Sequence, residues 1–335
     1  MVKRALPITY RQSALPGDSG RLPWGLVLAG VICLVIGASW AVRAAEAASS
    51  AYVTNAGSAS VSVINTATKT VLSSILVGQT PEQIAITPSG ALAYVSNSGS
   101  NTVSAIATTS NTVVGIPVPV GSNPVGIAIT PDGDFAYVTN FGSIPGSVSV
   151  IATASNAIVG TVPVEANPTG IAFTPNGAFA YVANQGSNTV SVIDTATKAV
   201  VATIPVEANP TGIAITPNGV SAYVTNSGSN TVSVIATATN TVTATIPVGL
   251  RPDFLAASPD GASVYVPNQG SNTVSVIATA TNTVTATIPV GTAPAGVAFT
   301  PVGIPVIPTL SDGALLLLLG AMAAALALRI ARSPL

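Results

Sequence analysis

The sequence predicts an all-β repeat fold, and three observations carry that expectation. A Tyr-Val-x-Asn core recurs at Tyr52, Tyr94, Tyr137, Tyr181, Tyr223 and Tyr265, at intervals of 42, 43, 44, 42 and 42 residues, a period that marks repeated supersecondary units. Each unit holds four short β-branched runs separated by Gly, Asn, Pro and Thr, the pattern of an antiparallel sheet with tight connections. Helix is disfavoured, because Val, Ile and Thr are stiff at χ1 and no apolar period of 3.6 survives the Gly and Pro punctuation. Four strands in about 42 residues make one blade of a β-propeller.

In the copy spanning 210–249 the strands are expected at 211–216 (a), 222–225 (b), 231–235 (c) and 242–248 (d). Pro205, Pro247 and Pro289 all fall in strand d. Proline lacks the N–H that an inner strand must donate, so strand d is the outer edge. The repeat region, 51–301, starts at Tyr52 with no strand a before it, and ends on a strand a, 294–301, with no Tyr-Val-x-Asn after it. Six b-c-d sets are thus matched by six a strands displaced by one blade. The expected architecture is therefore six four-stranded blades, closed by the C-terminal strand a pairing with the N-terminal b-c-d strands, so that no sheet face is left open at the ends.

Tyr52-Val53-Thr54-Asn55, Tyr137-Val138-Thr139-Asn140 and Tyr223-Val224-Thr225-Asn226, with variants at Ser96, Ala183 and Pro267, resemble the YVTN family of β-propeller repeat proteins. The resemblance covers about three quarters of the chain and implies an envelope or surface-layer protein. Related propellers include lactonases and redox-enzyme subunits, so the resemblance speaks for fold more than for activity.

The 335 residues are 48% apolar and 6% charged, contain no histidine and carry a net charge of −1, far from the usual quarter of charged residues. Between Ala51 and Pro301 only Lys69, Lys198 and Arg251 are basic, against eight carboxylates. A phosphate backbone would be repelled, which excludes nucleic acid as a partner. The single cysteine, Cys33, forbids an internal disulfide. With no histidine, no cysteine in the repeat region, no Gly-x-Ser-x-Gly elbow and no phosphate-cradling loop, neither an enzyme nor a cofactor is expected.

Residues 1–50 read as an export signal. Lys3, Arg4, Arg11 and Arg21 precede an apolar run at 24–42, and Ala45-Glu46-Ala47 supplies a small-x-small cleavage site. The nineteen-residue run is also long enough to serve as an uncleaved anchor.

Two sets of polar residues fall on the face shared by the d-to-a and b-to-c connections. Asn55, Asn97, Asn140, Asn184, Asn226 and Asn268 open the b-to-c loops. They form either a ring that recognises neutral polar ligands such as glycans, or a set of turn formers tolerant of positive φ. The d-to-a loops carry Glu82, Glu165, Glu207, Arg251 and Asp253. Glu165 and Glu207, equivalent on neighbouring blades, are the candidate carboxylate pair for a metal-assisted hydrolase of the lactonase kind, the alternative to a binding protein. The tyrosines, one per blade, are expected in the core with bonded hydroxyls. Residues 228–249 and 270–291 are identical, and identical blades suit a repetitive ligand better than one asymmetric catalytic pocket.

The C-terminal region, 302–335, holds Ile307-Pro308-Thr309-Leu310-Ser311-Asp312-Gly313, then an apolar run at 314–328, then Arg329 and Arg332. This resembles the IPTL-CTERM sorting signal, with Asp312 meeting Gly313 directly where that signal carries a tryptophan. The resemblance implies an exosortase-type processing enzyme as partner and Ile307, Pro308, Thr309 and Leu310 as the sorting motif. The reading as a whole is an exported, cell-surface-sorted protein, transiently anchored in the inner membrane by its C-terminal helix. It binds or builds in the envelope or extracellular matrix, with neutral polysaccharide or other surface proteins as partners.

Overall fold

The computed structural model describes residues 50–299, whose strands form six successive antiparallel sheets. In the fifth, the strands Pro210–Ile215, Ser221–Asn226, Thr231–Ala236 and Thr241–Pro247 neighbour one another in chain order, each within a residue of its expected bounds. Strand d is therefore at the edge, and Pro205, Pro247 and Pro289 end such edge strands, where no ladder partner misses the absent N–H. The described helical structure is a single 3-10 turn, Ala56–Ser58.

Three sheets depart from the four-strand pattern. The first has three strands, Ser50–Asn55, Ser60–Asn65 and Thr70–Leu76. The second has its edge strand broken into Thr112–Val113 and Val118–Pro119, on either side of Gly115 with its φ of +68°. The sixth keeps only Ala256–Ala257 of its inner strand. In the 64–70 hairpin, Asn65 Oδ1 accepts the N–H groups of Ala67 and Thr68 at 2.9 Å each.

Both faces of the inner sheets are apolar, so each sheet packs on two others. Tyr181, Val190, Val192 and Ile204 of the fourth sheet meet Ile213, Ala222, Val224 and Ile235 of the fifth. Four further clusters of the same kind link the six sheets in series. The tyrosines also tie one sheet to the next. Tyr94 donates to Thr153 O (3.2 Å) and Asn156 Oδ1 (2.7 Å), and Tyr52, Tyr181 and Tyr223 donate to Asn111, Asn240 and Asn282 at 2.6 Å each. These asparagines hold the c-to-d turns at φ between +53° and +55°, a conformation Asn tolerates better than most residues. Burial pushes the Tyr94 hydroxyl up to about 12. Lys198 takes the corresponding turn of the fourth sheet, facing Tyr137 of the third, and stacks its ammonium over Phe135, 5.2 Å from the ring centroid. The buried Tyr137 hydroxyl is consequently left without a partner.

Identical sequence does not give identical burial. Ile246 is 4% exposed because the sixth sheet covers it, whereas its copy Ile288 is 42% exposed. The expected closure is not detected: among the described residues the first sheet has no fourth strand. The C-terminal segment lies beside the inner strand of sheet six. Phe254 donates its N–H to Ala295 O (3.1 Å) and bridges Gly296 in parallel. Phe299 meets Tyr265 edge-on at 5.1 Å, as Phe173 of sheet four meets Tyr137 of sheet three. The segment thus occupies the place of strand a of a following sheet, and its expected end, Thr300 and Pro301, lies outside the described residues. So do the leader, the sorting motif Ile307 to Leu310 and the C-terminal helix. No helix among the described residues is long and apolar enough to cross a membrane.

Candidate functional site

The loop-opening asparagines are built into the scaffold. Asn97, Asn140, Asn184, Asn226 and Asn268 are fully buried, and Asn55 is half-buried. Each amide donates to two hydroxyls of the adjoining strand c: Asn226 to Thr231 (3.1 Å) and Ser233 (2.9 Å), Asn140 to Ser147 and Ser149 (3.0 Å each), Asn55 to Ser60 (3.2 Å) and Ser62 (2.9 Å). The same pairings hold Asn97, Asn184 and Asn268. Three of these amides pack under loop glycines so tightly that a Cβ on Gly78, Gly121 or Gly249 would fall 2.5 to 2.7 Å from a side-chain carbon of the asparagine. They shape the loop face from beneath instead of lining it.

The carboxylates scatter. Glu165 and Glu207 are both exposed, each on its own d-to-a loop. Glu82 accepts a hydrogen bond from Ser98 (3.0 Å). Asp132 and Asp260 lie in a-to-b turns, where the Thr130 and Ser258 hydroxyls hold their carboxyls below the usual range. Among the described residues no three His, Cys, Asp or Glu side chains gather as a metal site.

Asp253 differs from all of these. It lines a pocket of about 210 Å³ with Gln185, Thr211, Ser227, Arg251 and Gln269. Burial pushes its carboxyl up to about 6, against the opposing pull of the Phe254 N–H and the Arg251 guanidinium. At neutral pH it is ionised, and it takes up a proton in mildly acidic solution. A larger pocket of about 380 Å³, bordered by Pro247, Val248, Ser275, Val284 and Thr287, has only uncharged residues in its lining, so the chemistry concentrates in the smaller one.

The local sequence around this pocket departs from the repeat. Inner strands approach so closely that a Cβ on Gly126 would fall on the Thr169 carbonyl oxygen, and one on Gly170 would lie 2.5 Å from that of Thr211. Phe254 stands where Gly126, Gly170 and Gly212 stand in other sheets, and its Cα would lie 2.8 Å from a Cβ on Gly212. The strand is irregular from Pro252 until Ala256 pairs with Tyr265. Sequence reasoning placed Arg251 and Asp253 on this face but missed Gln185, Thr211, Ser227 and Gln269. The signal available was the departure of Arg251 and Asp253 from the Asn and Thr of the neighbouring repeats.

Residues 144–298 match the Choice-of-anchor I domain. That match and the repeated antiparallel sheets fit a propeller-like domain of a cell-surface-associated protein. Among solved structures, a functionally unknown protein from Desulfotomaculum acetoxidans DSM 771 is similar at 24% identity and TM-score 0.61, over 68% of this chain and 74% of that one. Hydrazine synthase of Kuenenia stuttgartiensis is similar at 23% identity and TM-score 0.50, over 69% of this chain and 93% of that one. At these identities the likeness is one of fold. No curated protein matches the sequence.

Proposed function

We propose that the protein is an exported β-propeller sorted to the cell surface, where it acts as a binding or structural component of the bacterial envelope or extracellular matrix. The observation that carries this reading is how the scaffold uses its recurring polar groups. Tyrosines and asparagines repeated in sheet after sheet bond to the scaffold itself, so repetition serves a stable display frame. The pocket that holds the perturbed Asp253 carboxyl is lined mainly by neutral amides and hydroxyls. Export rests on the basic, apolar and small-residue leader at 1–50, and sorting by an exosortase-type enzyme on Ile307 to Leu310 with the apolar and basic tail behind it. The ligand in this reading is a neutral polymer, and no catalytic turnover accompanies binding.

Calorimetric titration of the protein with neutral polysaccharides at low and at high salt tests the proposal. Affinity should change little with salt, because steering needs charges and few are present. Affinity that collapses with salt, or hydrolysis of the added polymer, would contradict it.

A further inference from the structure

Sheet six departs from its own repeat at four places around one pocket. Arg251 stands where Asn167 and Asn209 stand in sheets four and five, Asp253 where Thr169 and Thr211 stand, Phe254 where glycine stands, and Pro267 where Thr225 stands. These changes are flanked by the two identical segments 228–249 and 270–291. The difference is therefore local.

Its structural effect is direct. In sheet five the Thr225 hydroxyl accepts the Gly212 N–H (2.8 Å) and bonds to the Thr211 hydroxyl (3.0 Å), which fastens the strand entrance shut. Pro267 has no hydroxyl to do this. Asp253 donates its backbone N–H to Pro267 O (2.9 Å), and residues 251–253 line the 210 Å³ pocket with Thr211 and Ser227 of sheet five.

We propose that this pocket binds one uncharged, hydroxyl-rich unit of a carbohydrate chain. The proposal rests on the neutral-polymer reading above and assigns it a place. An ionised carboxylate accepts the O–H groups of two adjacent hydroxyls, the guanidinium donates to a ring or hydroxyl oxygen, and the amides of Gln185 and Gln269 do both. Asp253 and Arg251 bear opposite charges, so the lining asks for no net charge on its ligand. The volume corresponds to about seven waters at ~30 Å³ each, space for one sugar-sized unit and not for a folded partner. Neighbouring units of the chain would run over the exposed loop face.

Titration of the full chain with uncharged hexasaccharides (malto-, cello- and chitohexaose), followed by calorimetry, tests this. Asp253→Asn and Gln185→Ala should each weaken binding of the best probe by on the order of tenfold, the loss expected for one hydrogen bond to a charged or well-placed group. The double variant Glu165→Gln/Glu207→Gln, outside the pocket, should bind as the parent does. Gln185 is half-buried on a loop, so its variant decides the matter if Asp253→Asn fails to fold. Undiminished binding by Gln185→Ala and by folded Asp253→Asn would place the polymer elsewhere and overturn this site alone. Absence of binding by the parent to every probe would overturn the neutral-polymer reading together with it.

Discussion

Tyr181→Ala should lower the unfolding free energy by about 3 to 5 kcal/mol, the range for truncating a large side chain in a close-packed core. Tyr181 is fully buried, packs with Val190, Val192 and Ile213, and donates its hydroxyl to Asn240 across the sheet boundary. Removing the ring opens a cavity between two sheets and frees the turn held by Asn240. Tyr181→Phe keeps the ring and should cost about 0.5 to 1.5 kcal/mol for the lost hydrogen bond. Tyr137 provides the internal control, since its hydroxyl is buried without a partner. Tyr137→Phe should therefore be neutral or stabilising, and Lys198→Asn should supply the missing acceptor and raise stability. Urea denaturation of the series reads all four. Equal losses for Tyr137→Phe and Tyr181→Phe would show that the hydroxyl clasp does not tie the sheets together.

The clasp shows where sequence reasoning reached and where it stopped. Strand positions in the fifth repeat were legible to within a residue, because β-branched runs between Gly and Pro leave few alternatives over 42 residues. The edge place of strand d was legible from Pro205, Pro247 and Pro289 alone. A core role for the tyrosines also followed from their fixed position, but their partners lie 59 or 62 residues away, and nothing local names such a partner. The same limit hid the state of Asn226 and its equivalents. An Asn before Gly-Ser-Asn reads equally as a loop-tip ligand or as a buried brace, and only the hydroxyls of Thr231 and Ser233 decide between them. The Asp253 pocket needed three sheets in place at once, since Gln185, Ser227 and Gln269 come from successive repeats.

The second large effect belongs to the close approach of the inner strands. Gly126→Ala puts a methyl group onto the Thr169 carbonyl oxygen, a backbone atom that has no rotamer to escape into. The loss should reach the upper part of the 1 to 3 kcal/mol typical of overpacking, about 3 kcal/mol. Gly57, with open space around its Cβ position, is the control, and Gly57→Ala should stay within about 0.5 kcal/mol of the parent. Thermal or chemical melting that ranks the two variants the other way would mean that the inner strands are not packed backbone to backbone.

Surface display is the central claim, and intact mass measured on protein recovered from separated cell fractions tests it most directly. The account predicts protein accessible to external protease on intact cells, lacking the leader up to the Ala45-Glu46-Ala47 site and cut near Thr309 at the other end. Recovery from the cytoplasm at full length, or surface protein that still carries residues 329–335, would contradict it.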